Sequence, residues 1–128
     1  MNNNNPDDEA PDPPAAAGQP PYNPDEHPRS LCGSPPNIFD GTRDKVDSFL
    51  QAFGLYRAIN RRHITMREPY NRIMMMLSYM KGPKIDDWVR EKATLLETAI
   101  TNGTANPNDE HVWNTFLEEF TDAFTDTT

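Results

Sequence analysis

Between Val46 and Phe124, large apolar residues return every three or four positions, and that period constrains this chain more than any other feature. Side chains at such steps share one face of an α-helix, whereas a half-buried strand would alternate at every second position. Four segments carry the pattern. Over about 44–60, Val46, Phe49, Leu50, Phe53 and Tyr56 form a stripe. Over 66–81 it is Ile73, Met76, Leu77 and Met80, widened by Tyr70, Met74 and Tyr79. Over 84–101 it is Ile85, Trp88, Val89, Leu95, Leu96 and Ile100, and over 109–124 it is Trp113, Phe116, Leu117, Phe120 and Phe124. The pattern predicts an all-α domain, a small four-helix bundle. Its expected core is Phe49, Phe53, Ile73, Leu77, Trp88, Trp113, Phe116 and Phe120.

Punctuation residues sharpen the ends. Thr42 or Asp44 can cap the first helix, and Gly54 inside it marks an expected close helix contact. Thr65 and Glu68 have the spacing of a capping box, in which hydroxyl and carboxylate satisfy unpaired amides, and Pro69 fits only in a first turn. Gly82-Pro83 is read as the stop of the second helix, with Gly82 in the left-handed cap. Asp86 and Asp87 suit the positive end of the third helix, Asn102-Gly103 closes it, and Asn108 or Asp109 caps the fourth.

Ahead of this region the composition changes. Residues 1–30 hold six acids against one base, Arg29, for a net −5, and almost no large apolar side chain. Such a segment cannot bury enough surface to offset the entropy of ordering. Residues 1–34 are therefore expected to be a disordered acidic Pro-rich tail and 35–128 the helical domain. Pro35-Pro36 favours extended backbone, so Ile38 and Phe39 are expected to form an arm that anchors on the domain.

Several function classes are disfavoured. The net charge of −8 opposes phosphate backbones, so direct RNA binding is expected to be weak or absent. Cys32 is the single cysteine, which rules out a disulfide within the chain and a cysteine-based zinc site. His27, His63 and His111 lack metal-ligand spacing, and no phosphate loop or nucleophile–base pair is visible. No cofactor, metal or catalytic site is expected, and Asp86-Asp87 is a helix start. With neither a signal-like apolar region nor an 18-residue apolar run, a cytoplasmic protein without membrane contact is expected. Two surface features stand out. Arg57, Arg61, Arg62, Arg67 and Arg72, with His63, form a basic patch able to meet RNA or the acidic tail, or only solvent. Met74, Met75, Met76 and Met80 can fill core gaps or make an adaptable contact surface.

Taken in order, Pro36 to Gly41 (PNIFDG), Val46, Phe49-Leu50, Arg72-Ile73, Leu77 to Pro83 (LSYMKGP), Trp88, and Trp113, Phe116 and Phe120 make a set. This set resembles the Gag capsid region of gypsy-type LTR retrotransposons, fungal elements especially, over about residues 35–126. The resemblance implies a non-catalytic helical capsid protein with two lobes, of which this chain supplies the first. It implies assembly with other Gag chains into particles that package RNA. A second lobe would follow the fourth helix, and no zinc knuckle is seen, so particle formation is expected to need further parts. The alternative is a monomeric interaction module that binds a peptide or another Gag through an apolar groove.

Overall fold

The computed structural model describes residues 30–125; the expected acidic tail, including His27, lies outside them up to residue 29. Among the described residues the fold is helical, without a strand. A 3-10 turn at Arg43–Lys45 leads into α1 (Val46–Ile59). Then come α2 (Ile64–Arg67), α3 (Pro69–Leu77), α4 (Asp86–Thr101) and α5 (Glu110–Phe124).

The expected second helix is two helices. Pro69 lacks an amide hydrogen and forces the preceding residue out of the helical region. Glu68 is accordingly extended (φ −99°, ψ 128°), and Pro69 opens α3 at its first position. The capping box does not form. His63 is the cap of α2, its Nδ1 accepting the Thr65 amide at 3.2 Å.

α3 also stops at Leu77, four residues short of the expected end, because the following backbone is used elsewhere. Phe39 donates its amide to the Tyr79 carbonyl (2.8 Å), and its own carbonyl accepts from Lys81 (3.0 Å). This parallel bridge between Phe39 and Met80 follows a turn at Ser78-Tyr79 and takes the backbone out of the helix. Gly82 (φ 141°) is therefore not a helix cap. A Cβ there would lie 3.3 Å from the Cβ of Asp40, so glycine lets the two segments cross closely. The Gly82 amide donates to the Asp86 carboxylate (2.9 Å), and the Gly82 carbonyl accepts from Ile85 and Asp86, which starts α4. At α5 the expectation holds: the Asp109 carboxylate caps the helix by accepting from His111 N–H at 3.0 Å.

Phe39 sits at the centre of the core, 2 % exposed. Its ring stacks on Phe49 (5.3 Å) and meets Phe120 (5.4 Å) and Phe124 (5.6 Å) edge-on. α1 contributes Val46, Phe49, Phe53 and Tyr56, α3 contributes Ile73, Met76 and Leu77, and α5 contributes Trp113, Phe116, Phe120 and Phe124. Met66, Met80 and Ile85 complete the buried set, with Met74 and Met75 half-buried against it, so the methionines are mainly core. Trp88, expected in the core, is half-buried on its edge, against Phe124 at 5.1 Å and Phe116 and Phe120 at 5.9 Å.

The arm joins the domain earlier than residue 35. Asn60, buried at the end of α1, accepts the Cys32 amide on Oδ1 (2.7 Å) and donates Nδ2 to the carbonyls of Cys32 and Tyr56 (both 2.9 Å). One side chain thus ties the arm down and closes the helix, with its polar atoms satisfied. Leu31 packs half-buried beside it.

Candidate interaction surfaces

The five expected basic-patch residues separate into two groups. Arg72 is not on the surface: it is 2 % exposed and fully engaged. Its Nε donates to the Met66 carbonyl (2.8 Å), its Nη2 to the Arg67 carbonyl (3.3 Å), and the fork holds both Glu110 oxygens (2.8 and 3.1 Å). It therefore closes the carbonyl end of α2 and clamps the start of α5, a use that needs the planar guanidinium. Hydrogen bonding from Arg72 holds the Glu110 carboxyl below its usual range, against a smaller opposing effect of burial. The Arg72 guanidinium lies 5.0 Å from the centre of the Trp113 ring and that of Arg57 lies 5.4 Å from it. Burial, then the Arg72 charge, lowers the Arg57 pKa, while the negative face of the indole attracts both cations.

Arg61, Arg62 and Arg67 stay exposed around the turn after α1, with Arg57 half-buried beside them. His63 is buried and serves as a backbone cap, so it does not extend this surface. The basic surface is smaller than the sequence suggested.

Ile38 and Phe39 also part company. Phe39 is core, whereas Ile38 is 51 % exposed on the rim of a cleft of about 460 Å³, with Lys45, Ser48 and Ala52 across it. The arm thus fills a crevice of the fold through one residue and presents the next one to solvent.

Two further grooves were not visible in the sequence. One, about 420 Å³, runs between α4 and α5 over Ile73, Leu95, Leu96, Val112 and Phe116. Lys92 and Glu119 bridge α4 to α5 beside it (3.3 Å), with the Lys92 ammonium 5.6 Å from the Trp88 ring. The other, about 270 Å³, lies between α1 and α5 over Leu50, Phe53, Met76, Trp113 and Leu117. Gly54 opens it: a Cβ there would meet nothing within 4 Å, so the expected close helix contact at Gly54 is absent. The signal that could have found the first groove is the pair Leu95-Leu96. Neighbouring helical residues point about 100° apart, so both cannot face one core.

Among the described residues no group of three His, Cys, Asp or Glu side chains is placed to hold a metal ion. No helix among them is long and apolar enough to cross a membrane. Cys32 is exposed, but its backbone is fixed by Asn60 rather than loose. Asp86 and Asp87 stand at the start of α4, and Asp87 pairs with Arg90 at 2.8 Å on an exposed face. What the arrangement offers is apolar relief beside fixed charge. Comparison with known proteins gave no match to this chain among family models, curated proteins or solved structures.

Proposed function

We propose that this chain is the first capsid lobe of a gypsy-type Gag protein, a non-catalytic cytoplasmic unit that assembles into particles with other Gag chains and a second capsid lobe. The observation that supports this most is the meeting of two pieces of the motif set. PNIFDG and LSYMKGP, some forty positions apart, are joined by the Phe39–Met80 bridge, and the close crossing at Gly82 lies between the same pieces. Trp88, Trp113, Phe116 and Phe120, also in the set, surround or adjoin the Phe39 ring's cluster. The residues that carry the resemblance are thus the ones that define how the arm and helices fit. Fold alone does not fix function, so the reading rests on this coincidence.

The test is assembly. The chain joined to a second capsid lobe, followed by sedimentation and electron microscopy over a range of salt, should form particles. A product that stays monomeric at every salt concentration overturns the capsid role.

The groove between α4 and α5 favours a second reading, a monomeric module that takes an apolar peptide. Truncation through residue 39 is not a usable probe of it, because it removes a core side chain. Titration of the full chain with apolar helical peptides, read by amide shifts at Leu95, Val112 and Phe116, is suitable. Saturable shifts there with no assembly would replace the capsid reading.

A further inference from the structure

Two features of the groove between α1 and α5 are not required by the fold. The first is Gly54. Glycine in a helix interior is less favourable than alanine, because it loses more chain freedom on folding and packs nothing. A left-handed backbone or a close neighbour can still demand it. Gly54 has neither. It lies inside α1, its φ is not positive, and a Cβ there would meet nothing within 4 Å. The space it leaves is the groove itself, about 270 Å³ over Phe53, Trp113 and Leu117.

The second is Arg57, one turn further along α1 and, among the described residues, the only charged one on the walls of this groove. Its guanidinium lies 5.4 Å from the centre of the Trp113 ring. Such a contact engages the cation through its charge and uses none of its five N–H donors. No described residue accepts a hydrogen bond from them. Arg72 is the contrast. It meets the same indole and also holds both oxygens of Glu110. One guanidinium has its carboxylate and the other lacks one. Burial and the Arg72 charge both disfavour the Arg57 cation, and Glu110 offsets them only in part.

Neither feature alone marks a site, since water serves a half-buried cation and single helix glycines are tolerated. Together they lie three residues apart on one face of α1 and line the same groove. We propose that this groove docks a protein segment that carries a large apolar side chain and a carboxylate, the side chain filling the space over Gly54 and the carboxylate bonding to Arg57. Charge and size choose this occupant. The remaining walls are uncharged, so an anionic group is favoured at Arg57 alone. Glu118 and Asp122 are exposed on α5 around Leu117 and Thr121, which disfavours a segment that is acidic along its whole length. The volume falls short of the roughly 300–1,000 Å³ of small-molecule sites, so it suits one side chain of a larger partner. Gly54 and Arg57 are separated by about 4.5 Å along the helix axis, at 1.5 Å per residue. That is close to the spacing of about 5–6 Å between residues i and i+4 on a partner helix. A helix with leucine and, four positions on, glutamate therefore fits. This groove is distinct from the one between α4 and α5, and the inference does not depend on the capsid reading.

The test is titration of the full chain with a helical alanine–glutamine peptide of about fifteen residues carrying one leucine and a glutamate four positions on. Saturable shifts are expected at the Gly54 and Leu117 amides and at the Trp113 indole N–H. Glutamine in place of the peptide's glutamate should weaken binding at least fivefold, and alanine in place of its leucine at least tenfold. Arg57→Gln should bind the glutamate and glutamine peptides alike. Gly54→Leu, whose side chain enters the open space, should lose binding without a fall in melting temperature, because a Cβ there has room and the helix gains. No saturable shift up to about 10 mM peptide overturns the proposal. So do shifts centred on Leu95 and Val112, equal binding of the glutamate and glutamine peptides to wild type, or undiminished binding to Gly54→Leu. Shifts at Gly54 and Leu117 that grow with protein concentration alone put a second copy in the groove and overturn it as well. Failure of particle assembly leaves this inference standing, and failure of peptide binding leaves the capsid reading standing.

Discussion

Helices α4 and α5 are close in length, sixteen and fifteen residues, and both look amphipathic in sequence, yet they are held differently. α5 buries Trp113, Phe116, Phe120 and Phe124, and its start is fixed by the Asp109 cap and by Arg72 on Glu110. α4 buries no residue fully and rests on the core through half-buried Trp88, Val89, Ala93 and Leu96, with Leu95 54 % exposed. The difference is one of phase. The α5 aromatics step by three, four and four, so they stay on one narrow face. On α4, Trp88-Val89 and Leu95-Leu96 are adjacent pairs, and the half-buried positions between them hold only Lys92 and Ala93. Periodicity alone shows that a helix has an apolar side; the width of that side decides how deeply it is seated and whether a groove is left beside it.

The sharpest way to break this comparison is to remove an aromatic from the firm side. Trp113→Ala and Phe39→Ala should each cost about 3–5 kcal/mol, as large aromatic-to-alanine changes in a core do. That is much of the total stability of a domain this size, so loss of the cooperative thermal transition is the expected outcome. Ile38→Ala, one residue away from Phe39, should change stability by less than about 0.5 kcal/mol. If the neighbours respond alike, the division of the arm is wrong.

A smaller loss is expected at the clamp. Arg72→Leu strands the Met66 and Arg67 carbonyls, at about 1–3 kcal/mol in all. The cost stays at that level because the Glu110 carboxylate is half-exposed and can be hydrated once its partner is gone. pH provides a check. The Glu110 pKa is depressed in the folded state by Arg72, so its contribution is present above the ordinary glutamate range and lost as pH falls through the folded value, below 4.5. The difference in melting temperature between wild type and Arg72→Leu should therefore narrow on acidification. A constant difference would show that the ion pair contributes nothing.

The smallest effect belongs to α4. Leu95→Ser removes a side chain that is already half in water, and the cost should be below about 1 kcal/mol by denaturant titration. A loss comparable to that of Trp113→Ala would mean that α4 is as firmly seated as α5.

The same physics explains what could be read in advance. Helices α1, α4 and α5 follow from period, and the α5 cap follows from Asp109, because both signals are local. The break at Pro69 was also locally encoded, since proline restricts Glu68 whatever the rest of the chain does, but the continuing apolar stripe masked it. The early end of α3 was not readable, because it depends on backbone pairing with Phe39 forty residues earlier. Nor was the withdrawal of Arg72 from the basic surface, since nothing near it in sequence announces Glu110 or Trp113 as partners. Asn60 is a further case: an ordinary helix-end residue became the anchor of the arm through contact with Cys32. Of the candidate surfaces, the basic one was legible in outline, and the groove beside α4 emerged only once the phase of that helix was known.

Native-state hydrogen exchange tests the division between the firm and the loosely seated side most directly, because it reads the opening of each helix separately. Amides from Glu91 to Ile100 of α4 should exchange well ahead of those from Trp113 to Phe120 of α5, with the Phe39 and Lys81 amides protected alongside α5. Equal protection across α4 and α5, or rapid exchange at Phe39, would contradict a core built from the arm, α1, α3 and α5 with α4 resting on its edge.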